Sequence, residues 1–231
     1  MISLLGCIID LIAPRPCAVC GCRLAVDEET ICTVCNLHLP RTHYAARPYD
    51  NDLAKLFWRI IPIERAASLF FFDAHSEAAH IIYAIKYGDR PTYGEAMGRM
   101  SAEEMSLHGF FQGIDIIAPV PLAKNRLRER GYNQSVEIAR GIAAVTGLPI
   151  AEKAVKRDTF RESQTTKDRR QRQANVENVF HLRDAEIFRG KHVLIVDDVI
   201  TTGSTMTSLA EEIMKAGDVK FSVFSLACVK R

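Results

Sequence analysis

The 231 residues are 48% hydrophobic and 25% charged, the composition of a globular chain with one sizeable core and room for a small appendage. A formal charge of +2 and a pI near 8.2 are too mild to point to nucleic acid by themselves, so any basic function has to be local. No apolar run reaches the roughly 18 residues of a membrane span, and Met1 to Ala13 lacks a positive leader and carries Asp10; it reads as a short amphipathic helix of a cytoplasmic protein.

Seven cysteines include two C-x2-C pairs, Cys17/Cys20 and Cys32/Cys35, separated by eleven residues. Paired knuckles at this spacing bring four thiolates within reach of one tetrahedral zinc at about 2.3 Å each. The alternative is two disulfides, which need an oxidising compartment that nothing in the sequence indicates. Cys22 crowds the first knuckle and could replace a ligand, while Cys7 and Cys228 read as buried small hydrophobes. A ribbon this short has almost no core, so metal would hold it together. Residues 1–45 form this module, and 46–231 form the main domain.

Pro40 to Asp52 is polar and proline-punctuated, as a linker would be. Asp52 to Ile61 is expected as a short helix through Leu53, Leu56, Phe57 and Ile60; its tryptophan, Trp58, reads as core packing rather than a base-stacking group. Ala67 to Phe72 is a strand. Ser76 to Tyr87 is a helix with Ala78, Ile81, Ile82 and Ile85 on one side and Gly88 at its end. Lys86 reads as a solvated helix end. Thr92 followed by Glu95 is a capping-box pattern opening a helix through Leu107.

Asp115 to Val120 reads as a strand buried on both faces and runs into Pro121-Leu122. Lys124, Arg126, Arg128 and Arg130 follow, then Gly131-Tyr132-Asn133-Gln134-Ser135 and a helix through Ala144 with Gly147 beyond. Cations so placed at the carboxyl end of a strand can neutralise a pyrophosphate, at the edge where open α/β sheets bind ligands; a solvated basic turn is the plain alternative. Lys156 to Asn175 is strongly polar without an apolar period, which suggests a lid over an anionic substrate or a grip on nucleic-acid phosphates.

Asn178 to Leu182 is a short strand candidate. Val193 to Val196 is a second strand of the doubly buried kind, and Asp197-Asp198 stand where it surfaces. Thr201-Thr202-Gly203-Ser204-Thr205 follow, then Met206, Leu209, Ile213 and Met214 at helical spacing, with Gly217 as a stop. A helix N-terminus carries unpaired N–H groups and a partial positive charge, so this loop can wrap a phosphate, with Gly203 letting the backbone come close. Two adjacent carboxylates can accept hydrogen bonds from neighbouring ribose hydroxyls. With Lys220 to Val229 as a strand, strand–helix–strand implies a parallel crossover, and the fold class is α/β: a mostly parallel twisted sheet flanked by helices, with a small N-terminal zinc ribbon.

The stretch Asp197 to Thr205 resembles the 5-phosphoribosyl-1-pyrophosphate (PRPP) signature of type I phosphoribosyltransferases, and Arg130 to Gln134 is similar to the R-G-[FY]-N-Q block of the ComF family, which joins such a domain to a zinc ribbon. That resemblance implies phosphoribosyl transfer from PRPP to an unidentified acceptor, with magnesium accompanying PRPP and zinc as a structural metal. By the resemblance, Asp197 and Asp198 are catalytic and hold the ribose hydroxyls, and Thr201 to Thr205 hold the 5-phosphate. Pro121, Leu122, Arg126, Arg128 and Arg130 lie on the pyrophosphate side. Arg157, Thr159, Gln164, Thr165 and Arg172, with Asn175, fall on the family's lid pattern, although Lys167 stands where an apolar residue is usual. Lys86, with Tyr87, matches a family position more weakly. ComF proteins are associated with DNA uptake, so two alternatives stand beside transfer. One is a PRPP or nucleotide-binding regulator without turnover; the other is a protein that handles single-stranded DNA or docks on competence machinery.

Overall fold

A computed structural model describes residues 14–88, 90–158 and 179–230; the helix expected over Met1 to Ala13 lies outside them. Four strands, β1 (Ile63–Phe72), β2 (Ile116–Pro119), β5 (His192–Ile200) and β6 (Lys220–Val229), form one sheet in the order β1-β6-β5-β2. Each neighbouring pair is parallel. Two short strands, β3 (Val155–Arg157) and β4 (Phe180–Leu182), pair antiparallel apart from it. The helices are α1 (Thr33–His38), α2 (Asp52–Lys55), α3 (Ala79–Tyr87), α4 (Pro91–Ser106), α5 (Lys124–Arg130), α6 (Gln134–Thr146) and α7 (Ser204–Ile213).

The apolar run of β5 explains its central place. Val193, Leu194, Ile195 and Val196 are all fully buried, because successive side chains of a strand point to opposite faces and both faces are covered. Leu194 and Val196 join Ile81, Ile82 and Ile85 of α3, Met97 of α4 and Ile138 and Ile142 of α6. Val193 and Ile195 join Met206, Leu209 and Ile213 of α7. Burial of each such side chain is worth roughly 1.5–3 kcal/mol, so the strand is fixed from both sides and its end at Asp197 is held in place.

On one face α4 and α6 approach backbone to backbone. A Cβ at Gly98 would stand 2.2 Å from the Ile138 carbonyl oxygen, and one at Gly141 would stand 2.0 Å from that of Glu95. These two glycines set how closely α6 lies over the sheet, and with it where the N-terminus of α6 meets the end of β5.

Several local expectations are corrected. The helix from Asp52 stops at Lys55; Arg59 takes a left-handed φ of 64° and Pro62 follows Ile61, and a residue before proline is disfavoured in the helical region. Trp58 is 45% exposed while its neighbour Phe57 is fully buried, so Phe57 does the packing expected of Trp58. The helix expected from Ser76 starts at Ala79. The capping box at Thr92 does not form, because the next helix begins at Pro91, whose missing N–H suits a first helical position. Met214 falls beyond α7 and is 41% exposed.

Pro40 to Asp52 is not a free linker but a strap on β1. Phe71 N–H donates to the Pro40 carbonyl at 2.8 Å, Thr42 N–H to that of Leu69 at 3.2 Å, and Ala66 N–H to that of Pro48 at 2.9 Å, while Asn51 Nδ2 donates to the Ala66 carbonyl at 2.9 Å. β1 is an edge strand whose polar backbone groups need partners, and the strap supplies them. The ribbon also has more core than expected: Cys17, Leu24, Ile31 and Leu39 are buried in the same cluster as α3 and α4.

Candidate functional site

The carboxyl edge of β5 gathers residues from four elements. Ser135 Oγ, at the start of α6, donates to Asp197 Oδ1 at 2.8 Å, and the Asp198 N–H donates to the same oxygen at 2.9 Å. Lys86 Nζ, in the last turn of α3, lies 3.2 Å from Asp198 Oδ1. Burial pushes the Asp197 carboxyl up to about 7, with the neighbouring Asp198 charge adding to it, against the pull of Ser135, the Asp198 amide and Lys86. The edge therefore holds one carboxylate paired with an ammonium and one carboxyl poised near neutrality.

Between β5 and α7 the chain turns through Thr201 to Gly203. Gly203 caps α7 with φ 81°, a left-handed conformation, and a Cβ there would meet the Phe57 ring at 3.1 Å. The glycine thus answers a backbone and packing demand as well as any ligand. Thr202 Oγ1 and Ser204 Oγ lie 3.0 Å apart, and Asp197 shares one small concavity with Thr201, Thr202, Gly203, Ser204 and Thr205. Amides at the N-terminus of α7, hydroxyls and Asp197 thus open onto a common space.

The basic run after Leu122 is a helix rather than a turn, ended by Gly131 with φ 76°. At 3.6 residues per turn Arg126 and Arg130 share a face, and Arg128 lies about 200° from Arg126. Arg130 crosses the Tyr87 ring at 5.1 Å and donates from Nη1 to Gln134 Oε1 at 3.0 Å. Arg157, at the end of β3, has its pKa lowered chiefly by burial and further by Arg126, while Asp197 opposes the shift; Arg157 therefore lies within electrostatic reach of Asp197, and Arg126 within reach of Arg157. Pro121 and Leu122 line a groove with Lys124, Lys153, Lys156, Arg157 and Arg183. Thr159, Gln164, Thr165, Arg172 and Asn175 lie outside the described residues.

Ser135 and Gln134 fall outside the site residues expected from the sequence, and Tyr87 enters only beside Lys86 at a family position. Ser135 and Gln134 sit in the block with Arg130, so the signal was present; which hydroxyl reaches an aspartate 62 residues away carries no spacing rule. Asn133 links the parts, capping α6 by accepting from Ser135 N–H at 3.1 Å and donating to the Val120 carbonyl at 3.0 Å, at the end of β2.

In the ribbon, the sulfurs of Cys17, Cys20, Cys22 and Cys32 lie within 4.8 Å of one another. Cys35 stands beside them, its N–H donating to Cys32 Sγ at 3.5 Å and its thiol pushed up by burial and then by Cys20, Cys32 and Cys17. Amides of Val19 and Cys32 donate to Cys17 Sγ at 3.5 and 3.3 Å, as knuckles do around a thiolate. A tetrahedron with bonds of about 2.3 Å has edges of roughly 3.8 Å, and Cys20 Sγ and Cys32 Sγ are 3.8 Å apart. The donor set fits a zinc-sized ion, with Cys22 in the tight group and Cys35 adjacent.

The sheet order, the acid pair and the loop at the α7 N-terminus define a protein of the phosphoribosyltransferase fold, and the phosphoribosyl transferase domain family matches residues 130–230. Among curated relatives, the DNA utilization protein YhgH of Escherichia coli O6:H1 is 30% identical over 214 residues, covering 91% of this chain and 88% of that one. Competence protein F of Haemophilus influenzae is 36% identical over 117 residues, 49% of this chain and 50% of that one. The chain belongs to the ComF family of phosphoribosyltransferase-like proteins. Among the described residues no helix is long and apolar enough to cross a membrane.

Proposed function

We propose that the chain binds PRPP and transfers its phosphoribosyl group to an acceptor, with release of pyrophosphate. The observation that carries this reading is the joining of Asp197, the first of the acid pair, to the hydroxyl loop Thr201 to Thr205 in one concavity at the carboxyl edge of β5. Asp197 and Asp198 accept hydrogen bonds from the two ribose hydroxyls, with Ser135 fixing the Asp197 carboxyl. The amides and hydroxyls from Thr201 to Thr205 take the 5-phosphate at the positive end of α7. Lys86, Arg126, Arg130 and Arg157 offset the charge that builds on departing pyrophosphate, while Arg128, on the other face of α5, serves this less directly. Pyrophosphate would carry magnesium on its own oxygens, since Asp198 is already paired with Lys86. Catalysis of this kind is positioning and charge neutralisation around an oxocarbenium-like centre, with no covalent intermediate on the protein.

In the same reading residues 1–45 form a zinc ribbon serving the domain of residues 46–231, with Cys17, Cys20, Cys32 and either Cys22 or Cys35 as ligands. Titration of PRPP with magnesium into the wild type, Asp197→Asn and Asp198→Asn tests the site. Binding to the wild type weakened at least about tenfold in each variant supports it; equal affinity in all three removes it. Pyrophosphate release across a panel of amines and bases then separates transfer from binding without turnover.

A second reading, single-stranded DNA handling, is supported by the groove of Lys124, Lys153, Lys156, Arg157 and Arg183 and by the names of the relatives. It requires binding that weakens steeply with salt, and salt-independent or missing binding to an oligonucleotide counts against it.

A further inference from the structure

We infer that the seam between the ribbon and α4 is a binding site for an aliphatic polyamine, a ligand that no part of the transfer chemistry above requires. A cleft of about 390 Å³ opens there, walled by Asp27, Glu28 and Glu29 of the ribbon and by Arg99 and Glu103 of α4. That is a volume in the range of small-molecule pockets, roughly 300–1,000 Å³. The lining carries four carboxylates against one guanidinium. Arg99 is already committed, with Nη1 at 3.0 Å from Glu29 Oε1 and Nη2 at 3.2 Å from Glu95 Oε1. Glu28 is held as a carboxylate by hydrogen bonds from the Ala25 and Thr33 amides at 2.7 and 2.6 Å and from the Thr33 hydroxyl at 2.7 Å. Asp27 and Glu103 have no cation among the ion pairs of the described residues.

Thr30 supplies an independent sign of a ligand. It lines the same cleft, is 3% exposed, and its Oγ1 has no hydrogen-bond partner, a state that buried hydroxyls in folded proteins rarely keep. Beside the polar Thr33 and Asn36, the lining has an apolar part of Ile31, Ala96, Met97 and Met100, with Ile31 and Met97 buried. Carboxylates separated by thioethers and methyl groups suit a ligand whose ammonium groups are separated by methylenes. Anions are repelled, and a hard divalent cation prefers several converging oxygens to an apolar floor. A polyamine laid along the seam would place one ammonium at Asp27 or Glu103 and donate to Thr30 Oγ1, bracing the ribbon against α4.

The test is calorimetric titration of spermidine into the full chain at about physiological salt, with Glu103→Gln and Thr30→Val as variants. Both substitutions keep side-chain size, and Thr30→Val removes an unpartnered hydroxyl, so folding is retained. One equivalent should bind, weakened about tenfold by Glu103→Gln and about fivefold by Thr30→Val. Equal binding by all three proteins, several loosely held equivalents, or binding of a lysine-rich peptide with none of spermidine overturns the proposal. PRPP affinity is read separately in the same samples, so failure here is distinguishable from failure at the acid pair.

Discussion

At the scale of single residues, the two aspartates at the end of β5 are adjacent in sequence and opposite in electrostatic state. Asp198 meets Lys86 at 3.2 Å, whereas Asp197 is raised from an ordinary 3.8 to about 7 by burial and by its neighbour's charge. The folded chain thus holds a proton on Asp197 where the unfolded chain has lost it. Stability contributed by this group is present at low pH and falls as pH rises through the window between those two values. Asp197→Asn should flatten that slope and raise stability near pH 8 by at least about 1 kcal/mol, read from urea unfolding at pH 5 and pH 8. Ribose hydroxyls need the carboxylate as acceptor, so PRPP affinity of the wild type should tighten as pH rises through about 7, a trend lost in Asp197→Asn. Lys86→Met leaves Asp198 buried without its cation. It should weaken PRPP binding more than Lys86→Arg does, since breaking one partner of a buried pair costs several kcal/mol; equal affinities would argue that Lys86 is only a solvated helix end.

Among the elements, the close approach of α4 and α6 has the sharpest consequence. Gly141→Ala would drive a methyl to 2.0 Å from the Glu95 carbonyl oxygen, so the helices must separate. The expected loss is about 2 kcal/mol or more in chemical denaturation, accompanied by weaker PRPP binding because Ser135 moves with α6. The strand run, the acid pair and the hydroxyl loop were readable from the sequence because each depends on a short backbone period: alternation in β5, then helical spacing from Met206. The capping box at Thr92 gives way because Pro91 takes the first helical position, and the short helix expected from Asp52 to Ile61 ends at Lys55, ahead of the left-handed Arg59; backbone conformation there outweighs a side-chain pattern.

For the whole molecule, the ribbon and the sheet share one core. Leu24, Ile31 and Leu39 lie in the same cluster as Ile81 and Met97, Arg41 Nε reaches Glu104 Oε2 at 2.8 Å, and Tyr93 OH donates to the Pro16 carbonyl at 3.3 Å. Loosening the cysteine cluster should therefore cost the entire fold. Chelation, or Cys17→Ser, is expected to lower the melting temperature of a single cooperative transition by several degrees, as roughly 1–2 kcal/mol would in a chain of this size. Calorimetry showing an unchanged main transition would mean that the ribbon is an independent module.

The sequence by itself determined the parallel β5–α7–β6 unit, the acid pair at its carboxyl edge and the cysteine set, because these follow from periodicity and spacing within a few tens of residues. Only the tertiary structure decided which groups answer them. Ser135 and Lys86 reach the aspartates, Phe57 closes under Gly203, and Cys22, which the spacing allowed as a replacement ligand, lies in the tight sulfur cluster with Cys35 beside it. Such pairings arise from how closely separate elements pack, and that distance is set by side chains far apart in the chain.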